Sequence, residues 1–263
     1  MKNTIVILLS VLIIFGLYSS AKANDTRFVH VFVALVDNDS QGIVPVPELI
    51  GDGNDPRNNL YWGALYGIKT YFNKSSDWKL VKKKKNLNDI VLERLVYKHA
   101  TKDVYMVADA YRGTEIKTAI DDFLKASSGE IATSAKEPTL TIDGKDIKMA
   151  GNADLVAYIG HNGLMEFTLK NTYFKKDEKK REAIILACYS RDYFTKHLKT
   201  SGAEPLLWTT HLMAPEAYTL KAALDGWIAG EKNSEIRMRA VAAYRKHQGT
   251  GLRATKGLLV TGW

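Results

Sequence analysis

Five short apolar runs constrain this chain more than anything else in it. They are 28–36 (FVHVFVALV), 104–110 (VYMVADA), 155–160 (LVAYIG), 183–188 (AIILAC) and 205–209 (PLLWT). Each is strand-length, and none shows the wider spacing of a helix with one wet face, so each reads as a buried strand. Stretches with helical spacing lie between them. The clearest begins at Thr114, with Ile116, Ala119, Ile120, Phe123 and Leu124 on one face. Helices are also expected over 60–72, 87–99, 190–198, 215–230 and 234–248, a short strand over 78–81, and a hairpin turning at Asp143-Gly144. Strands that alternate with helices specify an α/β fold, a mostly parallel sheet flanked by helices on both faces.

Residues 1–23 read as an export signal. Lys2 precedes an almost wholly apolar stretch at 5–18, and Ala21-Lys22-Ala23 is a small-x-small cleavage site. The stretch falls short of the roughly 20 residues that span a bilayer. The expected mature chain, 24–263, is a single α/β domain, periplasmic or secreted. Losing Lys2 and Lys22 takes its formal net charge from +8 to +6.

In an open α/β sheet, ligands bind outside the carboxyl ends of the strands. The loops after the five runs bring Asp37, Tyr111, His161, Cys188 and His211 to that edge. Cys188 is the only cysteine, so a disulfide framework is excluded, and an unpaired thiol in an exported chain marks either packing or reactivity. An imidazole can take a proton from a thiol or favour its thiolate, which is the nucleophile. His161 and Cys188 end consecutive runs and form the candidate dyad. Gly163 is the candidate oxyanion position, because its backbone N–H can approach developing negative charge closely. Asp37, Asn162 and His211 are candidate pocket residues.

These residues resemble a known family. Ala157-Tyr158-Ile159-Gly160-His161 and Ile184-Ile185-Leu186-Ala187-Cys188 are similar to two blocks of the clan CD cysteine peptidases, which include caspases, legumains, clostripains and gingipains. In that family one apolar strand ends in His-Gly and a later one ends in Ala-Cys. The resemblance implies a caspase-like three-layer architecture, a peptide or protein substrate, attack by Cys188 on a carbonyl, and proton handling by His161. The chain departs from the family at Asn162, where the family has glycine, and its His-to-Cys spacing is short. The alternative is therefore a secreted binding or surface protein on the same fold, without catalysis.

The remaining motifs point elsewhere or nowhere. Asp37, Asp39, Gly42 and Glu48 follow part of the calcium-loop template, with Gln41 a departure at its fifth position. A strand precedes them, however, and Pro45 and Pro47 interrupt them, so calcium is not expected and no other cofactor is implied. Two basic runs, 82–85 (KKKK) and 175–181 (KKDEKKR), read as solvated segments with anionic cell-surface polymers as the conceivable partner. Nucleic acid is not expected, because no aromatic residues interleave with the lysines.

Overall fold

The computed structural model describes residues 26–132, 134 and 139–263; the expected leader at 1–23 lies outside them. The strands are β1 (Arg27–Ala34), β2 (Trp78–Lys85), β3 (Val91–His99), β4 (Val104–Tyr111), β5 (Thr139–Ile142), β6 (Lys145–Lys148), β7 (Leu155–Ile159), β8 (Glu182–Leu186), β9 (Glu204–Thr209) and β10 (Leu259–Val260). The helices are α1 (Ile68–Asn73), α2 (Ile116–Ser128), α3 (Ser190–Ser201), α4 (Ala217–Ala229), α5 (Asn233–Gln248) and α6 (Leu252–Leu258).

Among the described residues, one sheet of eight strands runs β10-β9-β8-β7-β1-β4-β3-β2, and β5-β6 is a separate hairpin. The five apolar runs form its parallel centre, with β4, β1, β7, β8 and β9 pairing in that order. From β1 the chain runs to the far edge at β2 and builds back inward through β3 to β4, which pairs with β1. It then crosses over to build β7, β8 and β9 on the other. The strand order therefore reverses between β1 and β7, and a crevice is expected outside their carboxyl ends.

Alternate residues of a strand point to opposite faces. Val29, Val31 and Val33 accordingly join residues of α1, α4 and α5 in one apolar cluster. Phe28, Phe32 and Ala34 join residues of α2 and α3 in another. In the second cluster Phe123 lies 6.2 Å from Phe32, 5.9 Å from Tyr158 and 6.2 Å from Phe194, ring centre to ring centre. Burying each such ring stabilises the fold by roughly 1.5–3 kcal/mol. No helix among the described residues is long and apolar enough to cross a membrane.

Two expected helices are corrected. Residues 91–99 form strand β3, paired antiparallel with β2 and β4. The charged pair in its middle is buried rather than exposed. Glu93 accepts from the Trp62 indole and pairs with Lys69 and Lys83, while Arg94 clasps Asp109 at 2.6 and 2.7 Å. Residues 60–67 are turns, and only Ile68–Asn73 is helical. The N–H groups of Trp62, Gly63 and Ala64 all converge on the Asn59 carbonyl instead of forming a helical ladder. The hairpin and the helix after Thr114 stand where expected, although Gly113–Glu115 enters that helix as a 3-10 turn.

Candidate active site

The parallel pairing of β7 and β8 sets the site's geometry. Ile159 is opposite Leu186 on the last rung, so His161 and Cys188 each lie two residues beyond it. The chain can leave that rung toward His161 only through an unusual backbone. Gly160 has φ +150°, and a Cβ there would sit 2.9 Å from the Ala34 carbonyl oxygen on β1. Past it, the Tyr158 hydroxyl donates to the His161 carbonyl at 2.7 Å.

The turn after β8 is held as firmly. Tyr189 is left-handed, at φ 49° and ψ 30°, immediately before α3. For a residue with a Cβ that conformation costs about 1–2 kcal/mol. A buried hydroxyl pair stabilises the turn. Ser190 Oγ donates to the Ile185 carbonyl at 3.0 Å and accepts from the Thr209 N–H at 2.9 Å. Thr209 Oγ1 accepts from the Ser190 N–H at 3.1 Å and donates to the Ala187 carbonyl. The result lifts Cys188 out of the core to an intermediate exposure.

The two loops are joined directly. Asn162 is fully buried, and its Nδ2 donates to the Cys188 carbonyl at 2.7 Å while its Oδ1 accepts from the Leu164 N–H at 3.2 Å. Asn162 is therefore a tether between the loops and does not line a pocket. Gly163 is buried and its N–H donates to the His161 carbonyl at 3.2 Å, which leaves it poorly placed as an oxyanion donor. The Cys188 N–H has no hydrogen-bond partner among the described residues.

His161 has a partner that the sequence reading missed. Its Nε2 lies 2.6 Å from Glu166 Oε1, and the same oxygen accepts from the Gly42 N–H at 3.0 Å. Glu166 thus links the imidazole to the loop that follows β1. It sits five residues past His161, where a 3-10 turn at Gly163–Met165 brings it back. An acidic residue just beyond a strand-end histidine was the available signal.

No hydrogen bond joins His161 to Cys188. The sulfur instead accepts from the Met213 N–H at 3.4 Å and lies 3.7 Å from the Met213 carbonyl oxygen. The buried Tyr61 and Tyr244 phenols are near it: burial holds both above the usual tyrosine range, and the Cys188 sulfur adds to the effect.

His211 also reaches this edge. Its carbonyl accepts from the Tyr189 N–H, and its exposed ring stacks on Tyr189 with centres 5.9 Å apart. With Leu212, Tyr244 and Leu258 it lines a cavity of about 380 Å³ beside the thiol's loop. Asp37 lies on the far side, in a larger cavity of about 850 Å³ whose acids are Asp37, Asp39, Glu48, Asp52 and Asp55. Asp37 Oδ1 accepts from the N–H groups of Asp39 and Ser40, and the Gln41 amide donates to the Leu35 and Gly113 carbonyls. The loop is therefore closed by its own side chains. Among the described residues no group of three or more His, Cys, Asp or Glu is placed to hold a metal ion.

The chain matches no protein-family model, no curated protein and no solved structure.

Proposed function

We propose that this protein is an exported thiol-dependent hydrolase of caspase-like, three-layer architecture, a cysteine peptidase with Cys188 as nucleophile and His161 as its acid–base partner. The observation that carries the reading is the shared rung. Two adjacent parallel strands deliver an imidazole and a partly exposed thiol at equivalent positions, two residues past Ile159 and Leu186. The two apolar clusters, each uniting the sheet with its own set of helices, fit the three-layer form.

In this mechanism the Cys188 thiolate attacks the carbonyl carbon of a peptide bond, forming a C–S bond and an oxyanion. The Cys188 N–H, which has no partner among the described residues, is the donor free to meet that oxyanion. With Nε2–H donated to Glu166, Nδ1 of His161 is the nitrogen left to take the thiol proton. The proton then passes to the departing amine as the C–N bond breaks, and water releases the acid from the thioester with the same base. Glu166 positions the ring.

A second reading, a binding protein without catalysis, has one observation in its favour: the thiol faces Met213 and makes no hydrogen bond with His161. Two measurements separate the readings. Iodoacetamide should label Cys188 below pH 7, well before unfolding. Wild type should cleave members of a peptide library that Cys188→Ala leaves intact. Equal cleavage by both proteins, or labelling only on unfolding, would end the hydrolase reading.

A further inference from the structure

The sheet's antiparallel edge carries a second chemical surface, independent of the thiol site. β2 is an edge strand, and lysines there discourage pairing with another chain's edge. That explains lysines along the strand but not the face on which unneutralised charge gathers. In the ladder Lys83 pairs with Leu95 and Lys85 with Glu93, and the Lys83 ammonium bonds the Glu93 carboxylate at 3.0 Å. Lys83 is compensated in this way, and Lys85 stands on the same face as that carboxylate without an ion pair of its own among the described residues. Lys82 and Lys84 point the other way, opposite Val96 and Arg94. With Leu87 and Leu140, these four residues line a cavity of about 340 Å³ that has no acidic wall among the described residues.

The positive surface continues along that face. The Lys98 and Lys145 ammonium groups lie 5.6 and 5.3 Å from the centre of the Tyr105 ring, and the Lys148 ammonium lies 5.9 Å from that of Phe28. Nearby acids are already engaged: Asp109 binds Arg94 and His30, and Asp103 binds Lys145. Among the described residues Lys82, Lys84, Lys98 and Lys148 form no ion pair. The other basic run contributes nothing comparable, since Lys175, Lys176, Lys179 and Arg181 each pair with an acid.

We propose that this face binds an acidic polysaccharide, a chain bearing carboxylate or sulfate groups. Charge complementarity requires a polyanion, and two details choose among polyanions. Single-stranded nucleic acid needs exposed rings on which bases can stack. Tyr105 and Phe28 are only 7% and 5% exposed, so the rings underlie the lysines rather than stand free. A bilayer surface would be met by an exposed apolar side chain among the lysines. The exposed Leu80 of β2 pairs with Tyr97, whose side chain lies on the opposite face. Lys82 and Lys84, with Cα atoms about 6.8 Å apart along the strand, instead present a row of cations beside the apolar floor of Leu87, Val96 and Leu140.

The test is binding of the purified protein to dextran sulfate, with neutral dextran and a single-stranded oligothymidylate as comparators. Wild type should bind dextran sulfate and weaken roughly tenfold or more between 50 and 200 mM salt, as counterion release requires. Lys82→Gln/Lys84→Gln should lose about tenfold at 50 mM salt, with an unchanged melting temperature. The charge-matched control Lys246→Gln/Lys256→Gln, on α5 and α6, should lose less than twofold. Binding no tighter than to neutral dextran, equal loss in the two double variants, or tighter binding to the oligonucleotide would each overturn the proposal. Thiol reactivity plays no part in these outcomes.

Discussion

Gly160→Ala tests how the sheet sets the site. The residue connects β7 to His161 at φ +150°, where side-chain-bearing residues are rarely found, and holding alanine there costs about 1–3 kcal/mol. The new Cβ would also press on β1, 2.9 Å from the Ala34 oxygen and 3.1 Å from the Ala34 Cβ. That oxygen belongs to a strand paired on both sides, so relief requires the β1–β7 contact to open, at a further cost of about 1–3 kcal/mol. The total is about 2–6 kcal/mol, which for a domain of this size corresponds to a melting temperature lower by roughly 4–24 °C. Gly144→Ala is the internal control. Its φ of +75° is also left-handed, but nothing lies within 4 Å of the added carbon, so it should cost only about 1–2 kcal/mol. Both variants gain equally from a stiffer unfolded chain. Urea denaturation gives the two losses, and the rate of Cys188 alkylation, compared between the two variants, reads out the site. Equal stability losses would refute the claim that close approach to Ala34 fixes the chain's exit from β7. An unchanged alkylation rate in Gly160→Ala alongside a large stability loss would refute the link from that exit to the thiol.

Two further perturbations probe the core and the imidazole. Asp109→Asn removes the buried charge that holds Arg94 and His30 and should cost about 3–5 kcal/mol by urea denaturation at pH 7. Burial alone pushes the Asp109 carboxyl up, but the Arg94 guanidinium and His30 outweigh it and hold it well below the usual carboxylate range. Its stabilisation is therefore complete above about pH 4 and lost as the pH falls further, by at most about 1.4 kcal/mol per unit. Wild type should lose more stability between pH 5 and pH 3 than Asp109→Asn does, and equal losses would contradict the assignment. On the hydrolase reading, Glu166→Gln should lower peptide turnover roughly tenfold, the loss of one partly exposed charge-assisted hydrogen bond, with KM and melting temperature little changed. Full turnover in that variant would remove Glu166 from the mechanism.

The parallel centre of the sheet was legible because its five runs are apolar on both faces and short, a pattern that solvent-exposed helices do not produce. β3 was not legible for a related reason. Val91, Leu92, Leu95, Val96 and Tyr97 divide between the two apolar clusters, so their combined spacing imitates one helical face. The clue against a helix was Glu93-Arg94 at its centre, but charge in sequence reads as exposure, and its burial depends on Trp62, Lys69, Lys83 and Asp109 from distant segments. At the site, the positions of His161 and Cys188 followed from strand ends alone. Their partners did not, because Glu166, Gly42 and Met213 arrive through turns whose closure no periodicity records.

The loop after β7 is anchored from both sides of the point where the strand order reverses. Asn162 ties it to the Cys188 carbonyl on one flank, and Glu166 ties it to the Gly42 N–H on the other. A loop that served only to connect β7 with β8 would need neither bond. The Asn162 bond ends on the carbonyl of Cys188 itself, next to the left-handed Tyr189 and the Ser190–Thr209 pair that shape its turn. The asparagine that departs from the family pattern thus acts on the same residue that the pattern singles out. It does so by fixing the backbone of Cys188 and leaving the sulfur to be turned by rotation about a single side-chain torsion. The Met213 contact, a 3.4 Å hydrogen bond to a weak acceptor, is a small barrier to that rotation. On the hydrolase reading, that rotation carries the thiol from Met213 toward His161 as substrate binds, in the way of catalytic contacts that tighten only in the bound complex.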